Sequence, residues 1–141
     1  MKKIVLILTS LIIILAVLLA IWHKNVDSAT GITITIDNNE KIISYSALEK
    51  MSKTSFKTSR GDEYSGYKLI EILKDFDLQN IRYLILHSKD SGSLRLNKED
   101  YYNAYLIWQS DSEKPSLRLI ISTDEFGQRW MKYLISIEIH K

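Results

Sequence analysis

The stretch ITITIDNNEKIISY, residues 32–45, is the clearest structural signal in the chain. Its first isoleucines alternate with threonines and an aspartate, which is the pattern of a strand with one buried face. Asn38 and Asn39 supply turn chemistry before a second run at residues 41–45, so the stretch predicts a β-hairpin. The folded domain is therefore expected to begin with paired strands.

Short helical signals follow this hairpin. Ser46 is placed to cap a helix, with Glu49 three residues later at capping-box spacing. Residues 54–59 form a polar strand candidate that ends at Gly61. From residue 67 to 76, apolar side chains at helical spacing face away from charged ones, which predicts an amphipathic helix.

The second half of the chain is rich in strand signals. Aliphatic and aromatic runs predict further strands at residues 81–87, 93–96, 104–109, 117–122 and 132–139. Asn97 is placed to cap a short helical turn that reaches Tyr102. About seven or eight strands with two or three short helices, in an order that does not alternate strictly, predict an α+β fold with a mainly antiparallel or mixed sheet.

An apolar segment precedes the domain. Residues 4–22 carry no charge and follow Lys2 and Lys3. As a helix they span about 28 Å, close to the hydrocarbon thickness of a bilayer. Residues 1–25 are therefore expected to be an N-terminal membrane anchor or signal segment, with the N-terminus in the cytoplasm. Residues 26–141 would form one extracytoplasmic module of a single-pass cell-membrane protein, or a secreted one if the leader is cleaved.

Charge and composition exclude several partners and chemistries. All 17 acidic residues lie at or after Asp27, and three of the 19 basic residues precede it, so the domain is close to neutral. Without a run of basic residues, nucleic acid is not expected as a partner. The chain has no cysteine, which excludes disulfides, a thiolate nucleophile and cysteine-ligated zinc.

Familiar catalytic patterns are missing from the sequence. His23, His87 and His140 are scattered without the spacing of a metal site, and no metal ligands are predicted. No nucleophile elbow of the G-x-S-x-G type occurs, and the acidic pairs at 62–63 and 99–100 fit solvated turns or helix starts. With five glycines, no phosphate-cradling loop is visible. No catalytic residue is therefore assigned.

Aromatic and cationic residues are the more informative groups. Tyr101, Tyr102, Tyr105 and Trp108 cluster within eight residues. Strand alternation places Tyr105 and Trp108 on opposite faces, so part of the cluster is expected in the core and part beside a pocket. Arg118 lies inside the apolar run 117–121, where it must face solvent or meet an anionic partner.

The order of several short segments resembles that of a known family. Phe56 to Gly61, followed by Tyr64-Ser65-Gly66-Tyr67-Lys68-Leu69 and Glu71-Ile72-Leu73, is similar to the strand, loop and y-x-G-v-x-L-x-d-l-L segment of the oxidoreductase molybdopterin-binding domain, the fold of sulfite oxidase. Residues 88–96 look like that family's D-G-Y turn and following strand. Residues 116–121 look like P-L-R-L-v-v, and residues 127–132 leading to 136–139 look like G-x-x-s-x-K-w … s-I-e-I.

The resemblance implies a sulfite-oxidase-like fold over nearly all of the soluble part, and molybdopterin as the family's cofactor. Its catalytic members hold molybdenum through a cysteine, and residues 54–60, nearest in order to that position, contain none. Serine and threonine are poor substitutes for a soft thiolate ligand. The family's pterin-holding serine corresponds to Trp130, whereas its arginine and lysine are kept as Arg118 and Lys132.

These observations favour a membrane-tethered extracytoplasmic binding module without molybdenum chemistry, whose ligand is a small anion or a protein segment. Arg60, Arg118 and Lys132 are its candidate charge partners and Trp130 a candidate wall, with Arg118 and Lys132 carried over from the resemblance. One alternative is a molybdopterin-dependent oxidoreductase that binds pterin without cysteine ligation. Another is a structural accessory domain that docks on a membrane protein.

Overall fold

The computed structural model describes residues 1–27, 30–90, 92–110 and 113–141, with the side chains of 22–27 outside that description. The chain divides into two compact units, Met1–Thr30 and Gly31–Lys141. The first contains helix α1, Lys2–Asp27. Its segment Lys2–Ile21 is long and apolar enough to cross a membrane, and a signal sequence would have the same character.

In its described residues, the second unit is an α+β domain with a nine-stranded mixed sheet, and the sequence predicted this class. Its strands are β1 Gly31–Ile36, β2 Asn39–Ser44, β3 Thr54–Lys57, β4 Glu63–Lys68, β5 Tyr83–Ser88, β6 Ser93–Asn97, β7 Ala104–Trp108, β8 Leu117–Ile121 and β9 Met131–His140. Its helices are α2 Tyr45–Glu49, α3 Leu69–Ile72, α4 Lys98–Tyr101 and a 3₁₀ turn at Leu78–Asn80. The turn predicted before β6 is described except at Ser91.

The last strand organises the sheet. The strand order is β2-β1-β9-β8-β7-β4-β3, and β5 also pairs with β9 and carries β6 beside it. β1 runs parallel to β9, whereas β5 and β8 run antiparallel to it. The pairing between β8 and β9 is irregular, and Tyr133 adopts a positive φ of 53° within β9.

The predicted hairpin is confirmed, with its turn one residue earlier than expected. Ile36 pairs with Asn39, so the loop consists of Asp37 and Asn38. Both have positive φ, 47° and 64°, as the preferred two-residue hairpin turn requires. Asparagine and aspartate tolerate this conformation better than other non-glycine residues.

The cap of α2 also differs from the prediction. Ser44, not Ser46, is the N-cap, and its hydroxyl accepts a hydrogen bond from the Ala47 amide at 3.2 Å. The helix starts two residues earlier because Tyr45 and Leu48 are the side chains that reach the core.

The prediction of a long helix at residues 67–76 is wrong. Residues 63–68 form β4, and only Leu69–Ile72 are α-helical. Tyr67 pairs with Leu106 of β7 and is buried. The first residues of the predicted helix are therefore part of the sheet. Helix propensity is a weak preference that such tertiary pairing overrides.

One main hydrophobic core lies on one face of the sheet. Leu84, Leu106 and Ile137 are fully buried there from three different strands. Helices cover them with Leu48 and Leu69, which are also fully buried. The opposite face of β3, β4, β7 and β8 is therefore left to a second set of side chains.

Candidate functional site

The second face of the sheet carries the candidate site. In β8, Leu117, Leu119 and Ile121 belong to the main core, so Arg118 and Ile120 point to the other side. Ile120 and Phe56 are buried but lie outside the main core. We call the face of β3, β4, β7 and β8 that bears Phe56, Tyr64, Tyr105, Arg118 and Ile120 the outer face.

An aromatic cluster covers part of the outer face. Phe56 and Tyr105 stack with ring centres 3.8 Å apart, and Tyr64 lies 5.9 Å from Phe56. Tyr64 in turn meets Trp130 edge to face at 6.1 Å. On the core side, Trp108 donates to the Tyr67 hydroxyl at 3.1 Å, so Tyr105 and Trp108 lie on opposite faces as predicted.

Two hydrogen bonds hold Trp130, one to the end of β8 and one within its own loop. Its indole N–H donates to the Ile121 carbonyl at 3.1 Å, and its backbone amide donates to the Gly127 carbonyl at 3.1 Å. Gly127 has a φ of 65°, and a Cβ there would lie 3.0 Å from the indole. A glycine is needed both for this backbone conformation and for the close approach of the ring.

Arg118 lies beside this indole. Its guanidinium carbon is 5.6 Å from the centre of the Trp130 ring. Its Nε atom is buried and has no hydrogen-bond partner among the residues that the structure describes. The sequence left two outcomes for this arginine, to face solvent or to meet an anionic partner. The residue is partly exposed, and no described acid accepts a hydrogen bond from its buried Nε.

The four predicted ligand residues do not all converge. Arg118 and Trp130 are brought together. Arg60 is exposed in the turn between β3 and β4, and the Lys132 side chain is exposed in β9. The Lys132 backbone carbonyl accepts a hydrogen bond from the Ser88 hydroxyl at 2.6 Å. The contact of Arg118 with Trp130 is thus the part of the prediction that the geometry brings together.

Arg129 fixes the loop that carries Trp130, a role that the sequence did not reveal. Its guanidinium donates to Asp124 at 3.0 Å and to Asp100 of α4 at 3.0 Å. The hydrogen bonds that Arg129 donates to Asp124 and then to Asp100 raise its pKa. These bonds join the loop to α4 and so orient the loop that carries Gly127 and Trp130.

The sequence also missed a histidine cluster on β5, β6 and β9. The ring of His87 contacts Glu138 at 2.9 Å through Nε2 and Ser93 at 2.6 Å through Nδ1, and His140 contacts Glu138 at 3.2 Å. The spacing of Glu138 and His140, two apart on one strand, was the available signal. Hydrogen bonds from His140 and then His87 lower the pKa of Glu138.

This histidine cluster is better explained as a link between strands than as a reactive centre. The order Ser93, His87, Glu138 matches that of a hydrolase triad, but the serine meets Nδ1 and the carboxylate meets Nε2. Side chains of His87 and Glu138 are 30% and 39% exposed, so water competes for their bonds. His23 lies where side chains are not described.

Residues 54–60, nearest in order to the family's molybdenum-ligating cysteine, do not fit that metal. Thr58 is the buried polar residue of this segment, with 5% of its surface exposed, and its hydroxyl has no partner among the described residues. A neutral hydroxyl is a poor ligand for a metal that thiolates hold. Among the described residues, no group of three or more His, Asp or Glu side chains is arranged to hold a metal ion.

Comparison with known proteins adds no family. No protein-family model matches the chain, and no curated protein matches it.

Proposed function

We propose that residues 26–141 form a ligand-binding module with a sulfite-oxidase-like fold and without molybdenum chemistry. The N-terminal segment holds the module at the extracytoplasmic side of the cell membrane. The ligand of the module is a small anion that binds to the outer face of the sheet. The observation that carries the proposal is the buried Nε of Arg118, which lies beside Trp130 without a partner among the described residues.

An unpartnered buried donor is costly in a protein without a ligand. Leaving such a group unsatisfied costs about 1–3 kcal/mol, and more for a charged group. A bound carboxylate or phosphate would remove that cost, because guanidinium groups pair well with both.

The charge of the outer face agrees with an anionic ligand. By strand alternation, Lys68 lies on this face beside Tyr105, with which it pairs. Arg118 and Lys68 are therefore cations there, and the described strand residues of this face include no acid. An anion approaching this face meets attraction from both cations.

Two features support the fold part of the proposal. Four motif segments occur in the family's order, and the domain has the α+β class and mixed sheet that this resemblance implies. The arginine position common to the motifs is Arg118, which is also one of the described residues with a buried polar atom that lacks a partner.

Binding can be tested on the full chain in detergent micelles. A panel of small carboxylates, phosphates and neutral analogues would be titrated while the indole N–H signal of Trp130 is followed by NMR. We expect a saturable shift with an anion, lost in Arg118→Met and kept in Arg95→Met, which changes an exposed cation of β6. No shift with any panel member, or equal binding by Arg118→Met, would contradict the proposal.

The oxidoreductase alternative has its own measurement. Full-length protein purified from a host that makes molybdenum cofactor would be assayed for molybdenum by elemental analysis and for pterin by fluorescence. We expect neither in stoichiometric amount, since residues 54–60 contain no cysteine and their hydroxyls are poor ligands for molybdenum. Stoichiometric molybdenum would contradict the binding-module proposal and favour a molybdopterin-dependent enzyme.

Topology can be tested because the chain has no native cysteine. The variant Ser52→Cys places a thiol at an exposed position after α2. We expect a membrane-impermeant maleimide to label it in intact cells, with the cysteine-free chain as the blank. Labelling only after lysis would contradict an extracytoplasmic domain.

A further inference from the structure

Two more buried polar groups without a described partner lie on the same face of the sheet as Arg118. The amide of Gln109 donates to the Ser116 carbonyl at 3.0 Å, which continues the pairing of β7 with β8. Arg118 follows Ser116 by two positions, so by strand alternation both side chains lie on the same face. The Gln109 Nε2 and Ser116 Oγ atoms are buried and, like Arg118 Nε, lack a hydrogen-bond partner among the described residues.

The orientation of the Gln109 side chain is fixed by the backbone of β9. Its Oε1 atom accepts a hydrogen bond from the Tyr133 amide at 3.3 Å. Tyr133 adopts a positive φ at the irregular part of β9. Since the acceptor end is occupied by a backbone donor, the free end of the amide is the NH₂ group, which can only donate.

All three free groups can donate, and two of them cannot accept. The Nε–H of Arg118 and the NH₂ of Gln109 are pure donors, and the Ser116 hydroxyl rotates to suit its partner. Gln109 and Ser116 are directly opposite, where Cβ atoms are about 5 Å apart, and Arg118 is the next residue of β8 on the same face. The three side chains therefore start from neighbouring positions of one face. Such a set is complementary to a negatively charged group with several acceptor oxygens.

We infer that Arg118, Ser116 and Gln109 form an oxyanion subsite that takes the carboxylate or phosphate group of the ligand. This inference rests on the proposed function and names the part of the ligand that is recognised. The remainder of the ligand extends along β7 toward Tyr105, where the aromatic cluster offers ring surfaces for stacking.

A matched pair of probes tests the subsite. Benzoate and benzamide have the same ring and nearly the same shape, but only benzoate carries an oxyanion; inorganic phosphate tests the other source of that chemistry. Each would be titrated into the full chain in micelles while the Gln109 side-chain amide and the Arg118 Nε–H signals are followed by NMR. We expect both signals to shift with benzoate or phosphate. The dissociation constant from these titrations should be at least about tenfold lower than that of benzamide.

Variants complete the test. Gln109→Glu replaces a donor with a negative charge, and Gln79→Glu makes the same change at an exposed position in the 3₁₀ turn. We expect the first to weaken oxyanion binding at least about tenfold and the second to change it by less than about twofold. Ser116→Ala should weaken binding by about threefold to tenfold, and it serves if Gln109→Glu fails to fold.

The outcomes separate this inference from the proposed function. Equal binding of benzoate and benzamide at Trp130 would overturn the oxyanion subsite and leave a ligand-binding face. Oxyanion binding that Gln109→Glu and Ser116→Ala leave unchanged would also overturn it. If benzoate and phosphate shift neither signal, the subsite is wrong, and the wider ligand panel decides the proposed function by itself.

Discussion

The guanidinium carbon of Arg118 lies 5.6 Å from the centre of the Trp130 ring, and the Nε atom of that arginine is buried without a described partner. A cation held against an indole usually contributes about 0.5–1 kcal/mol, whereas an unsatisfied buried donor costs about 1–3 kcal/mol. The second effect is the larger, so this arginine is expected to lower the stability of the ligand-free domain.

Replacing Arg118 with methionine tests that balance. Arg118→Met keeps an apolar stem and removes the buried donor, so we expect the free energy of unfolding to rise by about 1 kcal/mol. Urea unfolding of the full chain in micelles, followed by near-UV circular dichroism, would measure it. A fall of about 1 kcal/mol would show that the contact with Trp130 stabilises the domain and would count against a ligand role.

Gly127 should tolerate alanine poorly. Gly127→Ala forces a positive φ on a residue with a side chain and brings its Cβ 3.0 Å from the Trp130 indole. We expect the free energy of unfolding to fall by about 2–3 kcal/mol. Gly61→Ala is the matched control, because Gly61 also has a positive φ but its Cβ would meet nothing within 4 Å. Equal losses in the two variants would mean that contact with the indole contributes nothing.

Arg129 should matter more than an ordinary surface cation. Arg129→Gln removes the ion pairs with both Asp100 and Asp124. We expect the free energy of unfolding to fall by about 1–2 kcal/mol, and this difference should become smaller in high salt. The exposed pair of Lys141 with Asp37 at 3.4 Å provides the comparison, and Lys141→Gln should cost less than about 0.5 kcal/mol. Similar losses in both variants would contradict a fixing role for Arg129.

Glu138 should give the domain part of its sensitivity to acid. Hydrogen bonds from His140 and His87 lower its pKa from the ordinary value of 4.5. A lowered folded-state pKa means that the stabilisation is fully present above the unfolded-state pKa and is lost as pH falls through the folded-state value. Glu138→Gln should therefore flatten the loss of stability below about pH 4.5.

Unfolding in urea from pH 3 to pH 7 would measure this effect. Glu40→Gln changes an exposed carboxylate on the edge strand β2 and should leave the acid limb as in the parent chain. An acid limb that is the same in Glu138→Gln and in the parent would show that the bonds from the two histidines do not favour the ionised carboxylate.

Much of the secondary structure was readable from local patterns. The alternation at residues 32–36, the asparagines that follow it and the aliphatic strands at β5, β8 and β9 were all predicted within two residues. Period-two alternation and turn chemistry are properties of neighbouring residues, so they are visible without a fold. The helix expected at residues 67–76 failed because Tyr67 pairs with Leu106, a partner about 40 positions away in the chain.

Chain order alone was enough to single out Arg118, because a charged residue inside an apolar strand needs an explanation, and to separate an apolar N-terminal segment from a near-neutral domain. Only the tertiary structure placed Trp130 against Arg118, oriented Gln109 through Tyr133, and joined His87 to Glu138. Those contacts depend on the register of β7 with β8, on an irregular β9 and on a loop that Arg129 holds. Register and loop position are set by packing between distant segments, which no local pattern encodes.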